Sequence, residues 1–218
     1  MKTIECIFFA VLFLFPFITS SKETTLPTEA GTEVILETSH FGQREVTHSR
    51  TKIMKQENRV RMEETIDVGG EEKFTGISIY DGHSTSTISS EGREKSEGFR
   101  GYPWTYPLNE ETSVRSGKLE GRDVRIVDVE RGRLYLDPEE DIILLDERGK
   151  YKIYYRDYSL VEGVGYIPRT IEKMDQRGDL IMKTELKKVE HFKTFSNDTF
   201  DPDKVEVYIA PERRDVPN

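Results

Sequence analysis

Apolar residues along this chain recur at every second position. Val60, Met62 and Ile66 lie at even spacings, and Arg59, Arg61 and Glu63 surround the first of them. Ile77 and Ile79 repeat the pattern, as do Val124 and Ile126, Leu134 and Leu136, and Tyr151, Ile153 and Tyr155. Leu180, Met182 and Leu186 continue it. Successive side chains on a β-strand point to opposite faces, so each set predicts a strand with one apolar side. The intervening Lys, Arg, Glu and Thr predict a solvated opposite side. Turn signals separate the runs: Gly69-Gly70, Asp81-Gly82, Arg131-Gly132, Arg148-Gly149, Glu162-Gly163 and Arg177-Gly178-Asp179. Strands at this spacing, with no helical pattern between them, predict an antiparallel meander. Leu186 to Phe195 comes nearest to a helical period and is still read as strand.

One segment breaks the alternation. Gly98 to Leu108 reads GFRGYPWTYPL and holds Phe99, Tyr102, Trp104 and Tyr106 among two prolines and two glycines. Proline there argues against both helix and central strand. A loop this aromatic needs an apolar surface to rest on. Two readings are open: a plug sealing one end of a curved sheet, or a lid over a ligand cavity.

The N-terminus changes the picture from fold to compartment. Lys2 precedes an uncharged apolar run from Ile7 to Ile18, and Thr19 to Ser21 are small. That order predicts a secretory signal peptide over 1–21 and a mature domain over 22–218. The run is short of the roughly 20 apolar residues of a transmembrane helix, and Pro16 interrupts it. No later stretch predicts a transmembrane segment in the mature chain. The one cysteine, Cys6, lies inside the signal, so the mature chain has neither disulfide nor thiolate metal site. The net charge of −9 disfavours nucleic acid.

Candidate chemistry is sparse. His40, His48, His83 and His191 stand at no metal-ligand spacing and read as surface or strand-face residues. Asp137-Pro-Glu-Glu-Asp141 lacks the alternating ligands of a calcium loop and reads as a hairpin turn with solvated carboxylates. Arg177-Gly178-Asp179 sits where a turn is needed. No nucleophile elbow, phosphate loop or dinucleotide fingerprint is present. No cofactor and no enzymatic activity are expected.

Several short motifs resemble the bacterial outer-membrane lipoprotein-sorting family, the LolA/LolB-like carriers, over Thr32 to Asp203. Gln56-Glu-Asn-Arg-Val-Arg-Met-Glu63 is similar to the carriers' R-P-G-R-F-R-W-E stretch. Ile79-Tyr-Asp-Gly-His-Ser-Thr-Ser86 is similar to a strand ending I-x-D-G-x-x-x-W. Leu136-Asp137-Pro138, Tyr158 to Pro168 and Phe200-Asp201-Pro202 resemble later family elements. The chain departs from the family at three places. Gln56 stands where the carriers have a lid-closing arginine, Ser86 stands where they have a tryptophan, and little chain precedes the first strand to form their long N-terminal helix.

The resemblance implies a mainly β fold: a strongly curved antiparallel sheet forming an incomplete β-barrel with an apolar concave face and few or no helices. It implies a periplasmic protein that binds lipid, or the acyl chains of a lipoprotein, without covalent chemistry. On that reading Val60, Met62, Ile77, Ile79, Val124, Ile126, Ile153, Tyr155, Leu180 and Met182 form the concave wall. Phe99, Tyr102, Trp104 and Tyr106 form its mouth. The alternative is a cell-envelope sensing or interaction module with the same fold, a filled core and an envelope protein partner. Alternation alone does not separate a cavity wall from ordinary core packing.

Overall fold

A computed structural model describes residues 31–42, 46–68, 71–89, 92–99, 101–106, 108, 112–192 and 195–205. The signal segment 1–21 and the Gly69-Gly70 turn lie outside the described residues. Thirteen strands form one sheet. They are β1 (Gly31–Phe41), β2 (Val46–Gln56), β3 (Arg59–Val68), β4 (Glu71–Tyr80), β5 (Ser84–Ser89), β6 (Gly92–Glu97) and β7 (Val114–Leu119). There follow β8 (Arg122–Val129), β9 (Gly132–Leu136), β10 (Ile143–Arg148), β11 (Tyr151–Val161), β12 (Gly165–Met174) and β13 (Leu180–Phe192). Two short 3-10 turns, Asn197–Phe200 and Pro202–Lys204, are the helical elements among the described residues.

Every pairing is antiparallel, and almost all join chain neighbours, as the alternating runs and turn signals predict. The exception is β1, which pairs β2 on one side and β13 on the other, with Gly31 opposite Phe192 and His40 opposite Met182. The strand order is β6-β5-β4-β3-β2-β1-β13-β12-β11-β10-β9-β8-β7, and no pairing joins β6 to β7. The sheet is therefore an incomplete barrel rather than a closed one. Tight turns set the registers. Glu120 and Gly121 both carry positive φ (52° and 86°), the mirror-image turn that matches strand twist in a two-residue hairpin.

Alternation decides the faces. On β1, Val34, Leu36 and Thr38 are buried, while Glu33 and Glu37 point away and meet Lys52 (2.7 Å) and Arg50 (3.6 Å) on β2. Residues directly opposite on paired strands share a face. Val34, Ile53, Val60, Leu134, Tyr155 and Ile171 thus belong to one inner face, and they meet in a single core cluster. Strands from both halves of the sheet contribute to that cluster, which requires the sheet to curl around it. The right-handed twist of strands supplies the curl, and register irregularities such as the one between Ile35 and Leu36 sharpen it.

Candidate functional site: the concave face and its aromatic loop

Loop 98–108 enters the concave face and is fixed there mainly by backbone contacts. Thr105 forms a bridge with Ile142. The amide of Ile143 donates to the Trp104 carbonyl (3.0 Å), and the Tyr106 amide donates to the Asp141 carbonyl (3.1 Å). The loop turns tightly over Tyr102–Thr105: the Thr105 amide donates to the Tyr102 carbonyl (2.9 Å), and the Tyr102 amide donates to Thr105 Oγ1 (3.0 Å). Gly101, at φ 79°, lets the chain enter this turn, and a Cβ there would lie 2.9 Å from Thr105 Oγ1.

The aromatic side chains form a ladder. Tyr80 on β4 meets Phe99, Phe99 meets Tyr102 edge-on, and Tyr102 stacks on Trp104 with planes 6° apart; each step is 5.3 Å between centroids. Trp104 is 2% exposed, and its Nε1 donates to the Tyr166 carbonyl at 2.8 Å. Tyr158 donates from its hydroxyl to the Ile143 carbonyl at 2.6 Å. Tyr102 is 8% exposed, and its hydroxyl is buried without a hydrogen-bond partner among the described residues. Burial pushes the Tyr102 and Tyr158 phenols well above the ordinary value. Tyr155 is pushed up to about 12, first by burial and then by the nearby Asp146 carboxylate. In this structure the loop is a plug.

Asp146 is a carboxylate buried on the inner face. It faces Ile153 and Leu134 across the sheet and is 2% exposed. Arg148 holds it, with Nε donating to Oδ1 (2.8 Å) and Oδ2 (2.9 Å) and Nη2 donating to Oδ2 as well. A buried carboxylate needs such a partner, because an unpaired one is strongly destabilising.

The residues expected to line one wall divide into three groups. Val60, Met62, Ile153, Tyr155 and Met182 do gather in the main cluster, with Tyr102, Trp104 and Tyr106 against them. Ile77 and Ile79 do not. The register places Val60 opposite Tyr80 and Met62 opposite Ser78, but Arg61 opposite Ile79 and Glu63 opposite Ile77. Both isoleucines therefore face outward, where Phe195, Phe200 and Val205 cover them. Val124 and Ile126 also face outward, into a cluster with Leu144, Leu119, Tyr135 and Tyr158. Leu180 is 36% exposed and Phe99 is 38% exposed, at the margins of the face.

Two further positions depart from expectation. Gln56 lies on the outer face beside Arg59, and its Oε1 accepts from the Phe195 amide at 3.4 Å. It ties down the C-terminal segment. Asp137 is buried and paired with Arg122 rather than solvated, and its Oδ1 accepts from the Glu139 (2.9 Å) and Glu140 (3.2 Å) amides. Sequence reading also missed the Asp146–Arg148 pair, although an Asp on the apolar phase of a strand, two residues before an Arg, is a usable signal. No group of His, Cys, Asp or Glu among the described residues could hold a metal ion. No helix among them is long and apolar enough to cross a membrane.

Three open clefts border the site. One of about 400 Å³ lies beside the loop, between Phe99, Tyr102 and Tyr166. One of about 640 Å³ lies on the outer face over Leu144 and Tyr158. One of about 790 Å³ lies at the end of the concave face formed by the β8–β9 and β10–β11 turns.

No family model matches the chain, and no curated protein matches it. Solved structures do. A putative outer membrane lipoprotein-sorting protein domain from Vibrio parahaemolyticus is 10% identical, with 81% of this chain and 91% of that chain covered at a TM-score of 0.48. A LolA superfamily protein from Nitrosomonas europaea is 10% identical, with 83% and 93% covered at 0.46. A DUF1329 family protein from Desulfovibrio piger is 9% identical, with 82% and 92% covered at 0.48. Likeness at this level says nothing of what the chain binds.

Proposed function

We propose that the protein, exported to the periplasm as residues 22–218, binds an acyl chain of a lipid or lipoprotein non-covalently on its concave face. The chain would take the space now held by Tyr102 and Trp104. The observation that carries this reading is the Tyr102 hydroxyl, buried without a partner among the described residues, inside a loop that is otherwise well anchored. Leaving such a group dry costs about 1–3 kcal/mol, which withdrawal of the loop into water would recover.

The magnitudes allow the exchange. Two large aromatic side chains bury roughly 400 Å², or about 10 kcal/mol of apolar contact. An acyl chain of about fourteen carbons supplies on the order of 10 kcal/mol gross, at about 0.8 kcal/mol per methylene. The two occupants are nearly matched, and the gain at the hydroxyl offsets the loss of the Trp104 indole hydrogen bond. Binding of this kind needs no catalytic group and no cofactor.

A second reading has its own support. Trp104 is 2% exposed and hydrogen-bonded, as expected for a permanently filled core in an envelope interaction module with a protein partner. Native mass spectrometry of protein purified from an envelope fraction separates the two. Co-purified lipid, with uptake of a fluorescent fatty acid that shifts Trp104 emission to the red, is the expected result. Lipid-free protein that takes up no fatty acid would sink the acyl-binding reading and leave the interaction module.

A further inference from the structure

The cleft of about 790 Å³ at the end of the concave face has a charge opposite to that of the molecule around it. Arg131, Arg148 and Lys150 line it against Glu130, in a protein of net charge −9. Among the described residues, the cleft beside the aromatic loop instead carries Glu140 and Asp141 and no cation. The outer-face cleft carries five carboxylates against two arginines. The basic cleft is also continuous with the apolar interior, because its lining residues Val129 and Tyr106 pack on the main core cluster.

Its cations are available. The Arg131–Glu130 pair is 3.5 Å long between side chains more than four-fifths exposed, so it contributes little. Lys150 has no ion-pair partner among the described residues. Arg148 is held rigid from below by buried Asp146, which engages Nε and Nη2. Its Nη1 amino group has no protein partner among the described residues. Lys173, on the neighbouring strand, rests over the Tyr151 ring at 4.2 Å from the centroid and adds a further positive charge beside the cleft. A guanidinium fixed in this way is pre-organised to meet two oxygens of a phosphate or carboxylate, and a lysine beside it adds a mobile point charge.

We propose that this cleft receives the anionic headgroup of the amphiphile whose acyl chain lies on the concave face. The inference rests on the acyl-binding reading above and adds the headgroup class to it. The chain enters past Val129 and Tyr106. The phosphate or carboxylate stops at Arg148, Arg131 and Lys150, where the interior gives way to water.

Isothermal titration calorimetry of the mature protein tests this with three probes: dodecyl phosphate, dodecyl maltoside and inorganic phosphate, the detergents below their micelle thresholds. Dodecyl phosphate binding about tenfold tighter than the maltoside is expected, from three partly exposed cations each worth a few-fold. The Arg131→Gln/Lys150→Gln variant loses most of that preference and keeps its affinity for the maltoside. Arg148→Gln paired with Asp146→Asn, which keeps a neutral hydrogen-bonding pair in place, does the same without leaving a buried charge. Raised ionic strength narrows the gap. Equal binding of the two detergents overturns the headgroup assignment while acyl binding stands. Inorganic phosphate binding as tightly as dodecyl phosphate overturns it in favour of a free-anion site. Binding of none of the three overturns the acyl reading and the headgroup inference together.

Discussion

Replacing Trp104 by alanine removes the residue that stacks on Tyr102, fills the concave face and donates to the Tyr166 carbonyl. Truncating a fully buried tryptophan costs about 3–5 kcal/mol, and the stacked pair carries about 0.5–1.5 kcal/mol of it. Trp104→Phe is the milder probe. It keeps a ring on Tyr102 and most of the buried area but loses the indole N–H, for about 1–3 kcal/mol. Trp104→Ala is thus expected to fall well below Trp104→Phe, and both below the parent. Urea unfolding followed by far-ultraviolet circular dichroism measures the three, because the chain has a single tryptophan and its fluorescence disappears with it. A cost under about 1 kcal/mol for Trp104→Ala, or equal costs for the two variants, would refute the loop as part of the core. The same variant carries a second readout: emptying the space should raise fatty-acid uptake if that space is the acyl site.

Alkaline pH gives another measurement. Burial favours the protonated phenols of Tyr102, Tyr155 and Tyr158 in the folded state, so their folded pKa values lie above the unfolded value of about 10. Their contribution to stability is complete below pH 10 and falls away as pH rises through 12, where Tyr155 titrates. Phenolate absorbance should show three of the ten tyrosines lagging until the chain unfolds, and joint titration of all ten near their ordinary value would contradict the burial. Gly132→Ala should destabilise by about 1–3 kcal/mol, because its Cβ would lie 2.0 Å from the Glu147 carbonyl oxygen, which cannot rotate aside. Gly76→Ala, with nothing within 4 Å of the new methyl, should match or exceed the parent melting temperature, and a loss there comparable to that at Gly132 would count against the β3–β4 register.

The alternation of Val60 with Arg61, or Ile153 with Lys152, made the strands legible, because period two is a property of the local backbone. Turn residues such as Asp81-Gly82 made their order legible too. Which phase faces inward was not. Ile77 and Ile79 look identical in pattern to Val60 and Met62, yet they point outward, because the segment around Phe195 and Phe200 folds back and buries a second face. That contact joins residues more than a hundred positions apart and leaves no periodic trace. The irregularities between Glu64 and Thr65 and between Ile143 and Leu145 shift phase within strands, which alternation cannot register. The aromatic loop stood out at once by composition, but its choice between plug and lid depends on its bridge to Ile142. The basic cleft was hidden because Arg131 sits at one turn and Arg148 and Lys150 at another, and only the sheet brings the two turns together.

The pairing of β1 with β13 sets the order in which the molecule can assemble. From β1 to β6 and from β7 to β13, each strand finds its partner in the adjacent hairpin. Such local closures are fast. The two halves meet only where β1 receives β13, the last strand of the sheet to be synthesised. Until then the buried row Val34, Leu36 and Thr38 has β2 on one side and an unpaired edge on the other. Non-local closure of this kind slows folding and exposes a sticky intermediate. A fold whose decisive step waits for the end of the chain therefore depends on that end arriving before a neighbouring copy's edge does.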